Sequence, residues 1–123
     1  MTELTYEDLL ETHDIIIDLT GGIKGILDEN VLKSSIANIY QKVFGTELYP
    51  SIEEKAARLC YSLATTQGFI DGNKRVALAT MANLLAQNDY VLDCTDDELI
   101  KTGLDLANKK MSYEELLLFV KNH

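Results

Sequence analysis

The segment Asn73 to Asn88, NKRVALATMANLLAQN, constrains the fold most. After its first turn it is apolar on nearly every side, and a helix of that kind is stable only where neighbours cover it. The remaining chain has to supply that cover, and its spacing is helical almost throughout. Thr5 to Leu19 opens with a Thr N-cap and acids at Glu7 and Asp8, and stops at Gly21-Gly22. Asp28 to Val43 carries Val31, Leu32, Ile36, Ile39 and Tyr40 on one side. Ser51, with Glu54 at the capping-box position, starts a helix running to about Thr66 that is rich in small residues and is predicted to sit centrally. Thr95 and Ser112 cap two more, the second with Glu115 at its capping-box position. Phe44 to Ser51 holds Gly, Thr, Tyr and the lone Pro50, and reads as a loop or a short hairpin flap; Asp89 to Asp93 reads as a short extended piece. The expectation is an all-α fold of about six helices with one flap-like loop.

A length of 123 residues fits one domain over 1–123. A chain of this size buries roughly two-thirds of its unfolded surface, enough for one core. The acidic start MTELTYEDLL lacks the basic n-region of a signal peptide. No apolar run reaches the ~20 residues of a membrane span. Cys60 and Cys94 lack metal-type spacing, and Cys60 falls in an apolar helical run, so reduced thiols and a cytoplasmic location are expected. The net charge of −9 speaks against direct nucleic-acid binding, which needs a basic face. It favours a basic or mixed protein partner, and it leaves room for one small basic pocket.

That pocket is expected at Gly68 to Arg75, GFIDGNKR. Gly72 permits the positive φ of a tight turn into the apolar helix. The first-turn amides of Asn73, Lys74 and Arg75 then lack helical partners and carry the positive end of the dipole, which makes an anion site. Lys74 and Arg75 add charge where a helix repels cations, at a cost of ~0.3–1 kcal/mol each without an anion. Asp71 lies within a turn of them, placed for Mg²⁺ on a polyphosphate. The plainer reading is that Asp71 caps the helix, DGN is a turn, and the two cations are solvated.

Almost the whole chain resembles the Doc branch of the Fic/Doc family, the "death on curing" toxins of bacterial toxin–antitoxin modules. The likeness runs from His13 to Ile36 and from Leu48 to Met81. Of the signature His-x-Phe-x-Asp-x-Asn-Lys-Arg, the chain carries Phe69, Asp71, Asn73, Lys74 and Arg75 at the right spacing. The resemblance implies the signature loop at the start of the central helix, ATP and Mg²⁺ as cofactors, and transfer of the γ-phosphoryl group to a protein hydroxyl. The known kind of target is a threonine of elongation factor Tu, so translation would be inhibited. It implies Mg²⁺ on Asp71, phosphate oxygens on Gly72, Asn73 and the loop amides, and charge neutralisation by Lys74 and Arg75. Phe69 would anchor the loop in the core. It also implies a Phd-like antitoxin whose disordered tail folds on binding, and a flap, here with Glu47 and Tyr49, that meets the target. Fic-type AMP transfer is the alternative. Lys74 opposes it, standing where Fic proteins have Gly, and so does Leu78, standing where they carry a second Arg.

The signature histidine is Gln67 here. In the family that histidine takes the proton from the target hydroxyl, and an amide has no basicity for the task. Loss of a general base typically costs ~10²–10⁴ in rate. Three readings of Gln67 stand: a substitution introduced to silence a lethal toxin, a natural inactive or slow relative that still binds nucleotide or partner, or a glutamine that orients a hydroxyl without deprotonating it. His13 is expected to hold a loop, and His123 to be frayed.

Overall fold

The computed structural model describes residues 2–123. Six helices follow in order: α1 Tyr6–Thr20, α2 Glu29–Ile39, α3 Ile52–Thr65, α4 Asn73–Gln87, α5 Asp96–Ala107 and α6 Tyr113–Lys121. A two-stranded antiparallel hairpin, β1 Lys42–Val43 and β2 Thr46–Glu47, lies between α2 and α3. The fold is all-α with one flap. Thr5, Ser51, Thr95 and Ser112 each form a capping box with the acid three residues on, and Asp28 caps α2 alone. Each such cap stabilises its helix by about 0.5–2 kcal/mol.

Three features differ from the sequence reading. Helix α2 ends at Ile39, because Lys42 and Val43 leave it to pair with Glu47 and Thr46. Phe44 and Gly45, at φ 51° and 79°, form the tight turn. Asp89 to Asp93 forms no strand. His123 is not frayed: its carbonyl accepts from the Asp93 amide at 2.7 Å, Nδ1 meets the Phe119 carbonyl at 2.7 Å and Nε2 meets Glu98 at 2.8 Å. Both ring nitrogens face acceptors, and the backbone bond to Phe119, then Glu98, raises its pKa above 6.5. A raised folded pKa stabilises the fold fully below pH 6.5 and loses that contribution as pH rises through the folded value. The melting temperature should therefore decline over that window in the unaltered chain, and the decline should be absent in His123→Gln.

The hub is α3, not α4. Helices α2, α4, α5 and α6 all pack on it. Its small residues Ala56, Ala57, Cys60 and Ala64 are buried and let neighbouring backbones approach. Helix α4 buries Val76, Ala77, Thr80, Met81, Leu84 and Leu85, while Asn83, Ala86 and Gln87 reach solvent. Cys60 is fully buried, which pushes its thiol pKa up to about 12. No helix among the described residues is long and apolar enough to cross a membrane.

Lys55 is 1% exposed, and its Nζ donates to Glu47 Oε1 at 3.1 Å and to the Tyr49 carbonyl. That buried ammonium ties the hairpin to α3. Glu47→Ala leaves it with one carbonyl. Breaking a fully buried pair costs about 3–5 kcal/mol; Glu47 is partly exposed, so about 2–3 kcal/mol is expected in urea unfolding. Lys55→Met should come closer to neutral, since it removes the charge together with its partner's task.

Candidate functional site

The loop Gly68 to Gly72 joins the hub helix to α4 and is fixed from three sides. Phe69 is 1% exposed and stacks on the His13 ring, with centroids 3.8 Å apart and planes at 7°. His13 Nε2 donates to the Asp71 carbonyl at 2.9 Å, so the first helix holds the loop by packing and by a hydrogen bond. From the α1–α2 connection, the Leu27 and Asp28 amides donate to the Gly68 carbonyl at 2.8 and 2.9 Å, and the Ile70 amide donates back to Gly25 at 3.1 Å. The Asn73 side chain closes the turn, accepting from the Phe69 amide and donating to its carbonyl, both at 2.9 Å. That carboxamide is spent on the loop, so what Asn73 offers a ligand is its backbone N–H.

Gly72 is left-handed at φ 79° and starts α4. Of the six described helices, α4 alone has no side-chain cap. Asp71 does not cap it. Its Oδ1 accepts from the Gly72 amide at 2.8 Å and its Oδ2 from the Ile23 amide at 3.1 Å. Those two bonds, Ile23's first, hold its carboxyl below the usual carboxylate range, and Arg75 adds to the effect. Gly22, at φ 130°, allows this approach: a Cβ there would lie 2.6 Å from Asp71 Oδ2. The first-turn amides of α4 are left facing a cleft of about 510 Å³, lined by Thr65 to Gln67 and Ile70 to Arg75.

The two cations part company. Arg75 Nη1 donates to the Gly21 carbonyl at 2.7 Å and to Thr20 Oγ1, and Nη2 lies 3.6 Å from Asp71. Its charge thus sits at the C-terminus of α1, where a cation is favoured, and offsets its awkward place at the start of α4. Lys74 is exposed and has no hydrogen-bond or ion-pair partner among the described residues. It is the cation of this loop free to meet an anion. Gln67, also exposed, reaches only the Ile70 carbonyl, at 3.4 Å. Leu78 packs under Gly103 of α5, so its position carries a packing contact and no charge.

Four features thus converge: open amides, one unpaired lysine, one ionised carboxylate and one glutamine at the rim. Such an arrangement suits an anion, and among the described residues lining the cleft there is no histidine. The model of the Fic/DOC family matches residues 3–85, about two thirds of the chain and all of the loop. The chain belongs to the Fic/DOC family. It is also 35% identical over 110 residues to the Toxin Doc of Mycolicibacterium smegmatis, covering 89% of this chain and 81% of that one. Within this Fic/DOC chain, sequence reasoning found Gln67, Asp71, Gly72, Asn73, Lys74 and Arg75, and all six line the one cleft. It missed Gly22 and Ile23, which clasp Asp71, and the C-terminus of α1, which takes Arg75. The double glycine after α1 was the only local sign of them.

Among the described residues no group of three or more His, Cys, Asp or Glu side chains is placed to hold a metal ion alone. Asp71 keeps lone pairs beyond its two amide bonds. One carboxylate beside a phosphate cradle is the donor set Mg²⁺ uses when it arrives with a nucleotide, so the residues fit a metal carried in by its substrate.

Proposed function

We propose that this chain is a Doc-type toxin of a toxin–antitoxin module, acting in the cytoplasm over residues 1–123 as one domain. Its reaction is transfer of the γ-phosphoryl group of ATP to a hydroxyl of a protein such as elongation factor Tu, which inhibits translation. The observation that carries this reading is the uncapped start of α4, with three amides and Lys74 turned to one cleft. Lys74 and the amides bind and neutralise the phosphates. Asp71 would hold Mg²⁺, which when bound supplies further charge neutralisation on the nucleotide. Arg75 and Asn73 shape the cleft. Phosphoryl transfer through a loose transition state depends mainly on such positioning and charge. Gln67 can accept or donate a hydrogen bond to the target hydroxyl and cannot take its proton, so the chain is a slow or silent form of the enzyme.

Leu78 and Lys74 disfavour AMP transfer, since neither position offers the extra room or the second cation that mode uses. A second reading has its own support. Gln67 leaves the phosphate cradle intact and removes the base, which suits a module that binds nucleotide or antitoxin without turnover. ATP labelled at the α or the γ phosphate separates the three, with elongation factor Tu as acceptor and Gln67→His beside the unaltered chain. Label from the γ position alone supports the kinase reading. Label from the α position supports AMP transfer. Bound ATP without transfer in either chain leaves the binding module. A partner with basic residues, such as an antitoxin tail that folds on binding, suits the −9 charge.

A further inference from the structure

The half-buried outer face of α3 runs away from the cleft, from Thr66 just past its end through Ser62 to Arg58, and a second cavity of about 760 Å³ continues along it beside α2, sharing Thr66 with the first. Arg58 is the unusual residue there. Its guanidinium lies 5.5 Å from the Tyr61 and Tyr113 rings and 6.0 Å from Tyr49. Its Nε is shut from solvent with no acceptor, and it forms no ion pair among the described residues. Glu54, one helical turn before it, is the natural partner, but Glu54 is committed to capping Ser51. In a chain with 20 acids and 11 Lys and Arg, an arginine left without a carboxylate is a demand that the fold leaves open. A third cavity on the other side of the same face, sharing Thr65 with the cleft, adds Lys109 and Lys110, whose ammonium groups have no ion-pair partner among the described residues. Its one carboxylate, Glu115, is engaged with Ser112. The unpaired cations Lys74, Arg58, Lys109 and Lys110 thus surround one strip of an acidic protein.

We propose that this strip seats the segment of the protein substrate that carries the modified hydroxyl, and that Arg58 selects a carboxylate in that segment. The proposal rests on the phosphotransferase reading above. Eight residues of helix separate Arg58 from Thr66 at the cleft, roughly 12 Å at ~1.5 Å per residue. An extended peptide rises ~3.3 Å per residue, so the selected Asp or Glu lies about four residues from the hydroxyl. The planar guanidinium, held among three tyrosine rings, is suited to a forked bond with it.

Phosphothreonine peptides, the product class of the reaction, test this without turnover. The phosphate anchors at the start of α4, and a single Glu is moved through offsets of one, four and eight residues on either side, each with a Gln counterpart. Fluorescence anisotropy on the full chain should show the offset-four Glu peptide binding about 10-fold tighter than its Gln twin, as expected of a charge-assisted hydrogen bond. In Arg58→Gln the difference should vanish, and in Arg58→Lys it should be partly kept, with circular dichroism confirming the fold of both. Equal binding of the Glu and Gln peptides, a preference that ignores offset, a preference that survives Arg58→Gln, or no binding of any peptide at millimolar concentration would overturn it. ATP·Mg²⁺ binding is measured on the same samples. Peptide discrimination without ATP binding keeps the acidic-segment site and removes the transferase reading; ATP binding without discrimination does the reverse.

Discussion

If the proposed phosphotransferase reading holds, Gln67→His should raise transfer by about 10²–10⁴-fold over the unaltered chain, the usual contribution of a positioned general base. The gain is expected because everything else in the cleft is in place. The loop is clamped by α1 and the α1–α2 connection, the amides of α4 are open, and Lys74 is unpaired. Gln67 holds only a long contact to Ile70, so a histidine there displaces nothing the fold depends on. The new activity should rise with pH through about 6.5, where imidazole loses its proton. ATP affinity should barely change, since the proposed phosphate contacts come from the first-turn amides of α4 and Lys74, and Gln67 is bonded to neither. Single-turnover rates over pH 5.5 to 8.5 read all three. A gain without pH dependence would show that the histidine acts by fit alone.

Phe69→Ala destabilises the fold by about 3–5 kcal/mol, the range for a buried phenylalanine cut to its Cβ. The upper part of that range is expected. The ring is buried and stacks face to face on His13, so its loss opens a cavity and leaves the histidine without its packing partner. The melting temperature should fall by about 10–20 °C. The effect extends beyond stability. His13 would no longer be held against the loop, its hydrogen bond to Asp71 would loosen, and the turn into α4 would lose its anchor. Ligand binding should therefore drop more than in a core variant of equal cost remote from the loop, such as Leu116→Ala in α6. Thermal unfolding and ATP titration of both variants make the comparison.

The fold was readable in the sequence wherever the signal was local. Thr5, Asp28, Ser51, Thr95 and Ser112 sit next to the helices they start, and their cap bonds span three residues. The uncapped turn into α4 was readable for the same reason, because Gly72 and the amides after it form one turn of chain. What could not be read joins distant segments. Arg75 looked like a cation out of place until its partners appeared at Thr20 and Gly21, more than 50 residues earlier. His13 was expected to hold a loop, but its partner, the Asp71 carbonyl 58 residues on, was not readable. Lys55 was passed over in the sequence, and its buried ammonium is met by a carboxylate from outside its own helix. Glu47 is that carboxylate, and it arrives only because the hairpin folds back. The central place read from the small residues of α3 holds, while α4, apolar on nearly every side, still leaves Asn83, Ala86 and Gln87 in solvent, because apolar composition alone does not say which helix is the hub.

On the proposed reading, the start of α4 and Lys74 form a nucleotide phosphate site that is whole despite Gln67. Titration calorimetry of ATP·Mg²⁺ into the unaltered chain and into Lys74→Ala tests it most directly. Saturable one-to-one binding by the unaltered chain, weakened at least 10-fold in Lys74→Ala with the melting temperature in the absence of ATP unchanged, is the result expected. Absence of binding at millimolar ATP, or equal affinity in the two chains, would contradict it.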